Sequence, residues 1–379
     1  MKSYLRVLPV FIAFYCMGFV DIVGTAVKMA ADDLALNATT SQFLTFMIFI
    51  WFFVFSIPTG IIQDQVGKKN MVLISLVVTL LAMIVPFLFY NYFVLIVSFA
   101  LLGIGNTIIQ VSLNPLLYEV SPKGSYSSNM SFSQFIKSLA AFFGPLLTVF
   151  FANKLGDWKY IFLLYAGLSV LSMVWLYLTP VTEIKSEGKP ASFASCFRLL
   201  GNSYILVMVL GIFIVVGLDV GMNTGIPRFL GKFHLTSDQE VKSISIYIFA
   251  LMASRFIGAL ILKKLSSSLF LQLSSMLTLA GLFLLVVSGD PMLSKTAIFL
   301  VGFGSANIFP LIFSLSIEKM PERSNEIAGL MIMAISGGAV FPFLMGVIID
   351  NIGVTAGILF LLLISLYLGV VSLRSYSGK

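Results

Sequence analysis

The sequence predicts an all-α membrane protein: twelve transmembrane helices arranged as two six-helix bundles in a parallel pseudo-two-fold repeat. Composition, twelve long apolar runs and landmarks recurring at one offset predict it. Of 379 residues 59% are hydrophobic and only 10% charged, with 36 Phe and 30 Gly and a mean hydropathy of +1.04. A soluble domain carries about 25% charged residues, so this chain is made for lipid. The same figures exclude a disordered chain, a secreted disulfide scaffold and a nucleic-acid binder. Cys16 and Cys196 lie far apart and read as small buried apolar residues rather than a metal or disulfide pair.

A bilayer core takes about 20 mostly apolar residues per helix. Runs of that length occupy 7–30, 41–62, 71–90, 93–119, 128–152, 159–179, 203–230, 241–262, 268–288, 294–317, 325–349 and 353–373. Barrel strands would alternate apolar and polar residues, whereas Met71–Tyr90 is apolar on every side. Cytoplasmic loops collect Lys and Arg. With the N-terminus inside, 14 basic residues fall on the cytoplasmic side and 5 outside, which accounts for the formal charge of +7 without a polyanion partner. The expectation is a multi-pass protein of a bacterial cytoplasmic membrane with both termini inside.

The polar stretch Thr182–Ser195 separates the sixth and seventh runs. It divides the chain into an N-terminal half 1–180, a cytoplasmic linker 181–200 and a C-terminal half 201–379. Landmarks then repeat: Asp21 with Asp219 (219 − 21 = 198), Gly60 with Gly258, Gly105 with Gly304, Pro145 with Pro342. Each half has an even number of helices, so the two run parallel, which is one plan of transporters with a midplane site between rocking halves.

Between the second and third runs stands Gly60-Ile-Ile-Gln-Asp64-Gln-Val-Gly67-Lys68-Lys69. Glycines permit a tight turn, and an acid at a helix end pairs with basic groups or with a neighbouring helix N-terminus. This loop resembles the signature of the major facilitator superfamily and implies a conformational latch, with Arg255 in its second-half counterpart; the alternative is a solvated charged turn. Gln110-Val-Ser-Leu-Asn114-Pro115, Phe309-Pro310 and Ile335-Ser-Gly-Gly338-Ala-Val-Phe-Pro342 are similar to the fucose:proton symporter branch of that superfamily. The resemblance implies sugar import. It departs at Gln110, where the branch's fucose symporter has a Glu assigned to proton handling, and that symporter's first-helix carboxylate aligns with Asp21 only after a short shift.

Asp21 and Asp219 are the acids that lie clearly within runs, and an ionisable group in lipid faces a cavity or a partner. They are the expected ion-coupling residues, with Lys137 as a counter-charge; a buried pair that only holds helices in register is the other reading. Asn106, Gln110 and Asn114, at i, i+4 and i+8, put three amides on one helix face. Sugar hydroxyls need both donors and acceptors, which amides supply. Gln134 and Lys137 share a face of the fifth run, and Asn223 and Asn307 add polar groups from the other half. These are the expected substrate contacts, against the plainer reading of interhelical hydrogen bonds. Among 36 Phe an aromatic is more often packing than ligand contact, a caution that covers Phe14, Tyr15, Phe132, Phe135, Tyr247 and Phe309.

An enzyme is not expected. The single histidine, His234, has no His-Glu-x-x-His context, and no phosphate loop or nucleophile elbow appears. No catalytic residue, cofactor or metal is implied. The partners are a sugar, a co-transported cation and the bilayer, and one chain suffices to form the site. A neutral sugar carried with a proton, an acidic sugar or organic anion bound by Lys28, Lys137 and Arg228, and uniport all stay open at this point.

Overall fold

The computed structural model describes residues 2–183, 191–233 and 237–376. His234 and residues 184–190 of the linker lie outside the described residues. Twelve helices are long and apolar enough to cross a membrane, and the described residues contain no strand. The first six spans are Val7–Asp33, Phe43–Val66, Lys68–Leu88, Tyr92–Val120, Tyr126–Leu155 and Tyr160–Leu178. The last six are Ser203–Gly231, Ile244–Ile261, Ser267–Val287, Pro291–Lys319, Pro321–Ile352 and Val354–Ser375.

Helix starts follow side-chain chemistry. The first turn of a helix has orphan N–H groups, which an Asn, Asp or Ser oxygen satisfies. Asn37 accepts from the Thr40 N–H at 2.9 Å, Asn91 from Val94 at 3.0 Å and Asn202 from Tyr204 at 2.9 Å. Asp290 accepts from Met292 and Leu293, both at 2.9 Å, with Pro291 at the first helical position, where its missing N–H is harmless.

The chain forms two compact units. One comprises Met1–Tyr126, Ser133–Phe197 and Met320–Met333, the other Ser127–Phe132, Arg198–Lys319 and Ala334–Lys379. Each unit contains the same helix joint. A Cβ at Gly105 in the fourth span would meet Thr79 Oγ1 at 2.8 Å and the Ser75 carbonyl at 3.2 Å. In the second unit a Cβ at Gly304 would meet Thr278 Oγ1 at 2.6 Å and the Ser274 carbonyl at 3.0 Å. The third and fourth spans thus close on each other as the ninth and tenth do, with glycine required because a hydroxyl and a carbonyl fill the place of its side chain.

Among the described residues four spans are interrupted. The first breaks into a 3-10 turn at Gly18–Ile22, the tenth between helices Pro291–Ser305 and Ile308–Lys319, the eleventh at the 3-10 turn Ala334–Ser336, and the twelfth at Leu366, between helices Val354–Ser365 and Tyr367–Tyr376. Interruptions free backbone groups from the i→i−4 ladder, and in lipid those groups need partners. Polar side chains gather at the first two.

Candidate functional site

In the first unit the polar cluster is built around the 3-10 turn that carries Asp21. Gly18 lets this turn lie against the fifth span, because a Cβ there would sit 2.6 Å from the Lys137 carbonyl and 2.7 Å from Ala140 Cβ. That approach brings Asp21 Oδ2 to 3.7 Å from Lys137 Nζ, with the two side chains 34% and 19% exposed. The distance exceeds that of a direct N–H···O bond, so charge alone holds the pair. The pair is part-exposed, Asp21 the more so.

The amides of the fourth span form a chain. Asn106 Nδ2 donates at 2.7 Å to the Met17 carbonyl, which stands at the break. Gln110 Nε2 donates to Asn106 Oδ1 at 2.7 Å, and Asn114 Nδ2 to the Gln110 carbonyl at 2.7 Å. All three side chains are buried. Asn106 therefore braces the broken first span, while Asn114 Oδ1 and, on the fifth span, Gln134 Nε2 are buried without a hydrogen-bond partner. An unsatisfied buried amide group of this kind calls for an explanation.

The second unit holds its acid differently. Tyr247, fully buried, donates its hydroxyl to Asp219 Oδ1 at 2.8 Å, and Asn223 Nδ2 donates to the Asp219 carbonyl at 3.0 Å. Asn307 lies at the break of the tenth span and donates to the Ser254 carbonyl at 2.9 Å and to Ser254 Oγ at 3.1 Å. Arg255 Nε donates to the Ala306 carbonyl at 3.3 Å. Arg255 thus sits at the broken tenth span beside Asn307. A Cβ at Gly258 would meet the Asn307 amide at 2.7 Å, so that glycine makes room for the bracing side chain.

The loop after the second span is knitted together within the first unit. Gly67 adopts φ +92°, a backbone that favours glycine, and lets the third span begin at Lys68. The N-terminus of that span is capped by Glu183, whose carboxylate accepts the Lys68 N–H at 2.6 Å and the Lys69 N–H at 2.9 Å. Lys68 Nζ pairs with Glu119 at 2.6 Å, both side chains almost wholly buried. Lys69 Nζ donates to the carbonyls of Tyr177 and Thr179. Asp64 accepts from Asn325 Nδ2 at 2.8 Å and from the Ala191 N–H at 3.0 Å. Gly60 allows close approach to Asn325, whose carbonyl would be 2.7 Å from a Cβ there. Arg323 pairs with Glu326 at 2.6 Å and donates to the Ser195 carbonyl at 3.3 Å. Below them lies Cys196, its thiol pushed up to about 12 by burial and by the Glu326 carboxylate.

The structure thus brings Asp21 to Lys137, Asn106 to Gln110 and Asn114, and Gly60 and Asp64 to Asn325. Sequence reasoning missed four partners. Glu119 is a buried acid at the end of the fourth span, read there only as a span boundary. Glu183 lay unremarked in the polar stretch. Tyr247 was considered for its ring, yet its hydroxyl does the bonding. Tyr165, packed on the turn of Asp21, carried no signal among 13 Tyr. Among the described residues no group of His, Cys, Asp and Glu is placed to hold a metal ion.

A glucose/galactose transporter of Brucella abortus is 23% identical over 359 residues, covering 90% of this chain and 87% of its own. An L-fucose-proton symporter of Haemophilus influenzae is 21% identical, covering 87% of this chain and 85% of its own. The crystal structure of the E. coli fucose:proton symporter superposes with a TM-score of 0.87 at 15% identity over 100% of both chains, a likeness of fold. The profile of the Major Facilitator Superfamily matches residues 10–342. With that match over most of its length, on twelve membrane-spanning helices, the chain belongs to the Major Facilitator Superfamily, as its loop signature led us to expect.

Proposed function

We propose that this protein imports a monosaccharide or small sugar derivative together with a cation, in the first place a proton, across a bacterial cytoplasmic membrane in which both termini face the cytoplasm. The observation that carries the reading is the Asp21–Lys137 pair on the broken first span, next to the amide chain anchored on Met17. The similarity to a glucose/galactose transporter and an L-fucose-proton symporter supports the cargo and the coupling. In this cycle Asp21 takes up the proton, its charge is neutralised, and the cost of closing over the cargo falls. Asp219, the matching acid expected to share in coupling, is instead bonded by Tyr247 and keeps its place while Asp21 carries the proton. Gln110, Asn114, Gln134, Asn223 and Asn307 supply donors and acceptors to hydroxyls, and Asn106 holds the turn.

Alternating access then follows from rocking of the halves 1–180 and 201–379, one chain acting alone. Differential affinity of the two states for proton and sugar supplies the coupling. Gly60, Asp64, Gly67, Lys68 and Lys69 act as the latch that stabilises one state, with Arg255 at its counterpart in the other half.

Charge movement in proteoliposomes on a solid-supported membrane tests this. Jumps of glucose, galactose and fucose in sodium-free buffer should give an inward positive current that fades as pH rises. A second reading, carriage of an acidic sugar, draws on Lys28 and Arg228, which have no ion-pair partner among the described residues. Silence with neutral sugars and competition by uronates would establish that reading instead.

A further inference from the structure

In the sixth span the side chain of Tyr165 is fully buried and its hydroxyl has no hydrogen-bond partner among the described residues. Leaving a buried hydroxyl unbonded costs about 1–3 kcal/mol, and native interiors rarely do so without a reason. The ring is fixed: it stacks on Phe19 with centroids 3.7 Å apart and planes 4° from parallel. Phe19 stands two residues before Asp21 in the same 3-10 turn. The hydroxyl lies in a niche that exists because residue 144 is glycine. A Cβ there would come within 2.8 Å of Tyr165 Oη and would overlap Ile22, the residue after Asp21. Glycine at 144 therefore leaves space for the hydroxyl and for the turn at one spot. The titratable groups within electrostatic reach of Tyr165 are Tyr15, Asp21 and Cys16, and Lys137 faces Asp21 from the fifth span. Cys16 donates to the Leu168 carbonyl at 3.7 Å. Asp21 is the one carboxylate of the group.

We propose that Tyr165 is the second partner of Asp21, the donor to which its carboxyl turns on leaving Lys137, and this rests on the coupling role proposed above for Asp21. A proton arriving on one Asp21 oxygen forms an O–H bond and removes the charge that held the ammonium. The other oxygen then accepts the Tyr165 O–H. Tyr165 keeps its own proton, and no other bond is made or broken. The unbonded hydroxyl of the present state is thus a vacant seat for the protonated one. Gly144 provides the room for the exchange.

Tyr165→Phe deletes only the hydroxyl and keeps the stack. Because the hydroxyl bonds nothing in the present state, the melting temperature in detergent should stay level or rise. Uphill sugar accumulation should fall by about tenfold, the equivalent of one hydrogen bond lost from the protonated state, with sugar exchange across preloaded vesicles retained. Accumulation equal to the parent's would overturn the proposal, as would a melting temperature that falls in step with accumulation. A sugar-free readout separates this from the cargo reading. With 3-fluorotyrosine at position 165, the fluorine resonance should move over an acid-to-neutral pH series and should stand still when Asp21→Asn is added. A resonance that moves alike with and without Asp21, or that moves in neither, sinks the proposal. A resonance that follows Asp21 while no sugar accumulates would sustain it and defeat the sugar reading alone.

Discussion

Asp21 and Asp219 occupy matching places in the two halves of the sequence, yet the folded chain treats them differently. Asp21 rides on an interrupted helix and is attracted by an ammonium 3.7 Å away, with a third of its side chain exposed. Asp219 sits on the unbroken helix Ser203–Gly231 and accepts a short bond from a fully buried phenol. The first acid is held by a long-range, non-directional force and the second by a directional one. A group that must bind and release a proton in every cycle is served by the first arrangement, and a group that must keep its place by the second. The two acids match in sequence position and differ in the residues set opposite them.

The largest expected effect separates the two directly. Asp21→Asn should abolish uphill accumulation while leaving exchange between equal sugar concentrations intact. Asp219→Asn should leave accumulation in place and weaken apparent affinity. Paired uptake and counterflow assays on the two variants check this, and loss of accumulation from Asp219→Asn alone would break the comparison.

A second test asks how far the units are equivalent outside their acids. Gly105→Ala and Gly304→Ala each push a methyl into a threonine hydroxyl and a serine carbonyl. Overpacking of this kind costs about 1–3 kcal/mol, and the two losses should agree, read as matched drops in denaturation midpoint. Unequal losses would mean that the units differ in their frames as well as in their sites.

The smallest effect sharpens the contrast between partners. Tyr247→Phe removes the donor to Asp219 and should destabilise by about 1–2 kcal/mol. Lys137→Ala removes only a loose, part-exposed ion pair and should change stability by less than about 1 kcal/mol. Thermal unfolding of the two variants side by side measures the difference. A larger loss from Lys137→Ala would reverse the assignment of the weak and the firm hold.

Much of the architecture was legible because lipid imposes simple arithmetic. A run of about 20 apolar residues has few fates other than a span, and all twelve were found this way. The ends were read less well where tertiary contacts extend a helix. The third span was expected from 71 but begins at Lys68, since Glu119 and Glu183 satisfy the lysine and its backbone. The break at Gly18–Ile22 was invisible, because its support comes from Asn106, 89 residues away in sequence. Periodicity showed that Asn106, Gln110 and Asn114 share an inward face. It was silent on the groups opposite, so it did not foresee that Asn106 would be occupied by Met17. Tyr247 escaped for the same reason, a hydroxyl's partner being a fact of the fold rather than of spacing.

The paired glycine joints also bear on how the protein is made. Thr79 meets Gly105 within two consecutive spans, and Thr278 meets Gly304 within two others, so each joint is complete as soon as its own hairpin has left the ribosome and entered the bilayer. Neither waits for a residue synthesised later. Biogenesis can therefore proceed hairpin by hairpin, the first unit acquiring a rigid seed while the second is still being translated. A lesion in one joint should accordingly show itself at insertion, as a chain degraded early, before transport is ever attempted.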